Sequence, residues 1–107
     1  MAEPAPTKAI AQVNKPVGSC REAIAKFWPV SLQSTAITIL RAENGLESPK
    51  AINYNTDGSV DKGCFQVNSV HRFTGNLFEP EYNAQMAYKI YQTQGVRAWY
   101  AVQGILW

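Results

Sequence analysis

Two carboxylates stand apart from the chain's other acids by their settings. Glu43 closes the apolar run TAITILRAEN, and Asp61 lies in NTDGSVDKGCFQVN, a turn-prone stretch that also carries Asn55, Ser59 and Asn68. A carboxyl group at the C-terminal end of a buried helix is disfavoured as an anion, by desolvation and by the negative end of the helix dipole. A carboxylate among amides and hydroxyls is favoured as an anion, because each donated hydrogen bond stabilises its charge. Two carboxyls whose pKa values are pushed apart in this way suit glycosidic cleavage. One gives a proton to the leaving oxygen while the other supports a developing oxocarbenium ion. Spacing alone does not bring the two face to face, and a glutamate at a helix end is more often a solvated surface residue.

The elements that must position them follow from periodicity and punctuation. Ser19 suits the start of a helix through CREAIAKFW, with Cys20, Ile24 and Phe27 on one face and Pro29 ending it. A second helix starts between Ser31 and Ser34 and runs through TAITILRAEN, which puts Glu43 in its last turn, with Ala36, Ile39 and Leu40 facing inward and Gly45 following as its stop signal. From Ala51 to Val67 the pattern turns β-prone, with Asn-Tyr and Ser-Val pieces around Asn55, Asp57 and Gly58, which predicts two or three short antiparallel strands. There Asp57-Gly58 makes the turn, with Asp57 at an unusual φ, and CFQV runs on as an apolar strand. Pro80 suits the first position of a helix over EYNAQMAYKIYQTQ, with Ala87, Ile90 and Tyr91 on one face and Gly95 stopping it. A short last helix is expected at RAWYAVQG.

Composition excludes several classes. The 107 residues are 46% hydrophobic and 17% charged, enough for one domain with one core and unlike a disordered chain. No apolar run approaches the roughly 20 residues of a membrane-spanning helix. The net charge of +2 is spread over scattered Lys and Arg residues, which gives no nucleic-acid footprint. Cys20 and Cys64 form no C-x-x-C pair; one disulfide and two buried thiols are equally consistent with them. Alternate oxygens at Asn55, Asp57, Ser59 and Asp61 suggest a calcium loop, but Val60 and Gln66 stand where its Gly and Glu would be needed, so no metal is expected. Residues 1–17 read as a Pro/Ala-rich tail without an apolar core. Such a tail is what remains when a secretory signal is replaced by a start methionine, so a secreted, extracellular or periplasmic protein is expected. The folded domain is placed at 18–107.

The order AEN, NTDGSVDKGCFQVNS, YNAQMAYKIYQTQG and RAWYAV resembles the lysozyme-like superfamily, most closely c-type lysozymes and short bacterial lytic transglycosylases of the SLT type. The likeness runs from about Cys20 to Val102, and the central block is its most specific part. It implies an α+β lysozyme-like fold, mostly helical, with a small antiparallel sheet flanking a cleft. It also implies that Glu43 matches the general acid and Asp61 the second carboxylate, the nucleophile or stabiliser. Asn55 and Asn68 match the amides that hydrogen-bond Asp61, and Gln66 the strand glutamine lining the sugar groove. Trp99 matches the tryptophan against which the acid packs. This family supplies the standard illustration of carboxyl pKa tuning. The implied substrate is the glycan strand of peptidoglycan, cut by a monomer without a cofactor.

Departures from the family pattern bear on mechanism. Asn44 follows Glu43 where serine is usual, and Val70, His71 and Arg72 stand where animal enzymes have a sugar-stacking tryptophan pair. The usual partner of the family half-cystine matched by Cys20, near the C-terminus, has no counterpart. Hydrolysis by a muramidase is favoured by Asp61 and by the lack of a Tyr-Asn pair late in the domain. A lytic transglycosylase giving 1,6-anhydro ends is the alternative, and a non-catalytic glycan-binding protein of the same fold a third reading. His71 and Arg72 suit contact with an acidic lactyl group or peptide stem, though an exposed loop pair with no specific role is the plainer reading. The aromatic residues at 82, 88, 91, 99, 100 and 107 are expected mainly in the core.

Overall fold

A computed structural model describes residues 19–99. The expected tail over 1–17, residues 100–104 of the expected last helix, and two of the aromatics, Tyr100 and Trp107, lie outside the described residues. Helix α1 (Ser19–Phe27) buries Cys20, Ala23 and Ile24. Pro29 blocks its continuation, and after a 3-10 turn at Val30–Leu32 helix α2 (Gln33–Glu43) buries the expected Ala36, Ile39 and Leu40. Helix α3 (Pro80–Gln94) starts on its proline, buries Asn83, Ala84, Met86, Ala87 and Ile90, and ends at Gly95 with φ 65°. The first and third helices pack along each other. No helix among the described residues is long and apolar enough to cross a membrane.

Helix α2 stops for a reason other than the glycine expected to stop it. Gly45 does not take a left-handed conformation; Glu47 does, at φ 53°. The chain leaves helical geometry at Asn44, whose φ is −147°. Its side chain is bound into the following loop, donating Nδ2–H to the Ser48 carbonyl (2.8 Å) and accepting from the Ser48 N–H (3.2 Å). Such side-chain bonds give the backbone an alternative to one more helical turn.

Strands β1 (Ile52–Tyr54), β2 (Val60–Lys62) and β3 (Val67–Asn68) form an antiparallel sheet in the order β1-β2-β3. In the β1–β2 turn the positive φ falls on Gly58 (90°), not on Asp57 as expected. Asp57 instead accepts from the Ser59 N–H (2.9 Å) and the Ser59 hydroxyl (2.6 Å), fixing the turn from its side chain.

The segment expected as an apolar strand is a turn. Cys64 and Phe65 are both completely buried, but not as part of a strand. Gly63, at φ 78°, opens the turn, and Gln66, at φ 51°, closes it, so Gln66 is not on a strand. Every residue of the turn is anchored. Cys64 is disulfide-bonded to Cys20 on α1. The Phe65 N–H donates to Asn83 Oδ1 (2.9 Å), and the Phe65 carbonyl accepts from Trp99 Nε1 (2.9 Å). Its ring stacks on Trp28 with centroids 5.4 Å apart, and Trp28 in turn meets Tyr88 and Tyr91. Beyond α3 the chain makes a 3-10 turn at Gly95–Ala98 and is extended at Trp99 (φ −122°), so no helix begins at Arg97.

Candidate active site

A cleft of about 960 Å³ runs between the sheet and the helical part. Its sheet wall carries Asn53, Tyr54, Asn55, Asp57, Ser59, Asp61 and Asn68. Glu43, Ile90, Gln94, Arg97 and Trp99 belong to the helical side. The six residues singled out from the sequence, Glu43, Asn55, Asp61, Gln66, Asn68 and Trp99, all line it.

Strand register explains the setting of Asp61. Asn53 on β1 and Asn68 on β3 are its direct cross-strand partners, so all three side chains emerge on one face. Asp61 Oδ2 accepts from Asn53 Nδ2 (3.2 Å) and Asn55 Nδ2 (3.1 Å), and Oδ1 from Asn68 Nδ2 (2.8 Å). Each amide directs its second N–H into the same network. That of Asn53 goes to Asn55 Oδ1 (2.9 Å), and those of Asn55 and Asn68 go to Ser59 Oγ (3.1 Å each). Ser59 passes the chain of bonds to Asp57, whose carboxyl the Ser59 hydroxyl and N–H hold below the usual carboxylate range. Asp61 is therefore a half-buried acceptor fixed on both oxygens, with no rotamer freedom needed to face the groove.

Glu43, half-buried, is the last residue of α2. The next residue, Asn44, is buried and directs its amide inward, to Ser48 O and, at 3.3 Å, to the Cys64 carbonyl. The residue in the usual serine position thus ties the end of the acid's helix to the turn that joins β2 and β3. Two buried asparagines, Asn44 and Asn83, hold that turn from the helical side. Asn83 Nδ2 donates to Lys62 O and Leu77 O (both 2.8 Å).

Gln66 and Trp99 are placed as much for scaffold as for substrate. Gln66 Nε2 donates to Gly63 O (3.0 Å) and Ala51 O (3.2 Å), so its amide N–H groups brace the turn while the residue borders the cleft. Trp99 is only 4% exposed, its indole N–H bonded to Phe65 O. Of the loop where animal enzymes place a tryptophan pair, Val70 and His71 border the cleft and Arg72 does not. His71 stacks on Phe73 at 5.8 Å, and burial pushes its pKa down.

Asn53, Tyr54 and Arg97 are among the cleft residues that the sequence alone does not single out. Asn53 was findable, because an Asn two residues before Asn55 on a strand shares its face. Tyr54, 74% exposed at the end of β1, is the cleft's most exposed aromatic ring among the described residues, and only the strand's placement reveals it. Arg97 reaches the cleft from the 3-10 turn Gly95–Ala98, which stands where the sequence led to the start of a helix. Among the described residues no group of three or more His, Cys, Asp or Glu side chains is arranged to hold a metal ion.

A family model described as a lysozyme-like domain, of the SLT group, matches residues 27–101. Comparison with curated proteins found no match.

Proposed function

Because the chain belongs to the lysozyme-like domain family, we propose that it is a peptidoglycan muramidase, hydrolysing the β-1,4 bond between N-acetylmuramic acid and N-acetylglucosamine. Members of the family typically are enzymes acting on peptidoglycan. The observation that carries the finer reading is Asp61, held on both oxygens by Asn53, Asn55 and Asn68 in the same cleft that Glu43 lines. A carboxylate oriented through both oxygens by three amide donors is suited to stand beside developing positive charge.

In this mechanism the Glu43 carboxyl gives its proton to the glycosidic oxygen as the C1–O bond breaks, and the leaving sugar departs as an alcohol. Asp61 faces the oxocarbenium carbon and stabilises or captures it. Water then attacks C1, and the Glu43 carboxylate takes the water's proton, which returns the acid to its starting state. The rigid network around Asp61 means no reorganisation accompanies charge development at C1.

The SLT grouping of the matched family favours one second reading, a lytic transglycosylase. There Glu43, as base, takes the proton of the sugar's own 6-hydroxyl, and a 1,6-anhydro ring closes without water. Purified protein incubated with peptidoglycan decides between them by mass spectrometry: hydrolysis gives reducing ends, and transglycosylation gives ends lighter by one water. Glu43→Gln is expected to abolish clearing of the suspension with the fold intact by circular dichroism. Clearing at the parent rate would end both catalytic readings and leave glycan binding. Asp61→Asn sorts the mechanisms again, with severe loss for two carboxylates and mild loss for one. Secretion follows as part of the proposal, since the substrate lies outside the cytoplasm.

A further inference from the structure

Beside the acid Glu43 the cleft is lined by two aspartates, Asp57 and Asp61. Anionic polymer is repelled from such a groove unless a cation is built into it. Of the Lys and Arg side chains among the described residues, Arg97 alone lines the cleft. Resting on the reading above, we propose that Arg97 binds the carboxylate of the glycan and selects acidic wall strands over neutral N-acetylglucosamine polymer.

The residue's surroundings suit that role. Its backbone belongs to the 3-10 turn Gly95–Ala98, held at one end by Gly95 N–H bonding Tyr91 O. At the other end Trp99 donates its N–H to Val96 O (3.0 Å) and its indole N–H to Phe65 O (2.9 Å). The side chain, in contrast, is exposed and has no ion-pair partner among the described residues. Arg21 and Lys26 show the alternative, being paired with Glu47 and Glu81. A guanidinium binds a carboxylate through two parallel N–H donors, which fixes orientation as well as charge. His71, the other candidate cation on the cleft, is desolvated toward its neutral form. Arg72 and Lys62 border other surfaces, the latter lying over the Phe78 ring.

Acidic groups on wall glycan come from the lactyl ether of N-acetylmuramic acid or from its peptide stem. The experiment therefore uses three insoluble strands: stem-bearing, stem-free with the lactyl carboxylate exposed, and stem-free with that carboxyl reduced to an alcohol. Cutting and co-sedimentation are measured for the parent, Arg97→Gln and Arg97→Lys. The parent is expected to prefer carboxylated over reduced strand by about tenfold, mainly through KM and binding. Arg97→Gln should lose this preference while cutting reduced strand at the parent rate, and Arg97→Lys should retain part of it. Preference for stem-bearing over stem-free strand assigns the stem carboxylate as the ligand; preference for stem-free over stem-bearing strand assigns the lactyl carboxylate, which is an uncharged amide wherever a stem is attached. Equal losses on all three strands would make Arg97 a general counter-charge to Asp57 and Asp61 and overturn the proposal. An unchanged preference in Arg97→Gln overturns it as well. Should the parent cut no strand yet sediment with carboxylated ones in an Arg97-dependent way, the catalytic reading falls and this one stands.

Discussion

At the scale of single residues the two aspartates of NTDGSVD have separate work. Asp57 accepts from Ser59 twice and makes the turn; Asp61 accepts from three amides and faces the cleft. The amides are separable by mutation because Asn68 has two duties. Its Nδ2 donates to Asp61, and its Oδ1 accepts the Val70 N–H at 2.9 Å, capping the 3-10 turn Ser69–His71. Asn68→Asp keeps an acceptor for Val70 but removes the donor and sets a second carboxylate against Asp61. Activity on peptidoglycan is expected to fall by about ten- to a hundredfold, the loss of a charge-assisted bond. A variant as active as the parent would show that the amide network is only structural. Asn55, Asn68 and Asp61 were legible from the sequence because they sit within one short block whose polar spacing is local. Arg97 was not, because its approach to the cleft depends on how a distant turn ends.

Among the elements, the turn Gly63–Gln66 bears the most consequence, since it joins the strand carrying Asp61 to the strand carrying Asn68. Its sequence favours a strand, because Cys64, Phe65 and Val67 are apolar around a single glutamine. What overrides local preference is long-range: the bridge from Cys20, the amide of Asn83, the amide of Asn44 and the indole of Trp99 all converge there. None of these contacts leaves a local signal, and the cysteine count alone left a bridge and free thiols equally open. The ends of the three α-helices, whose signals are periodicity, Pro29, Pro80 and Gly95, are legible to within a residue or two, whereas the helix expected at RAWYAVQG is a 3-10 turn and an extended Trp99 over its described residues. Gly63 tests the turn. A methyl group there would run into the Leu77 carbonyl and the Asn83 amide at a φ that side chains rarely adopt. Gly63→Ala is expected to cost about 2–4 kcal/mol, seen as a lower denaturant midpoint. Reducing the disulfide, which closes a loop of sequence separation 44, should cost a similar amount, about 4 kcal/mol in the chain-entropy account. Unchanged midpoints in both cases would remove the turn from its central place.

For the molecule as a whole, acid should loosen the fold in two stages. Burial holds the His71 pKa below its ordinary 6.5, so the unfolded chain takes up this proton first. Stability is therefore full above about pH 6.5 and declines as pH falls toward the folded value. Glu47 follows. Arg21, bonded to both its oxygens at 2.7 and 2.9 Å, holds its pKa below the ordinary 4.5. Its contribution is complete above about pH 4.5 and is lost as pH falls through the lower folded value, along with that of Asp57. The Arg21–Glu47 pair fastens α1 to the loop that follows Glu43, so its loss bears on the same wall of the cleft that carries the acid. Thermal midpoints measured from pH 8 to 3 should fall in both windows. His71→Phe should flatten the upper stage alone and Arg21→Gln the lower stage alone. If His71→Phe leaves the upper slope intact, the burial of the imidazole is not what sets it, and the two-stage account fails at its first step.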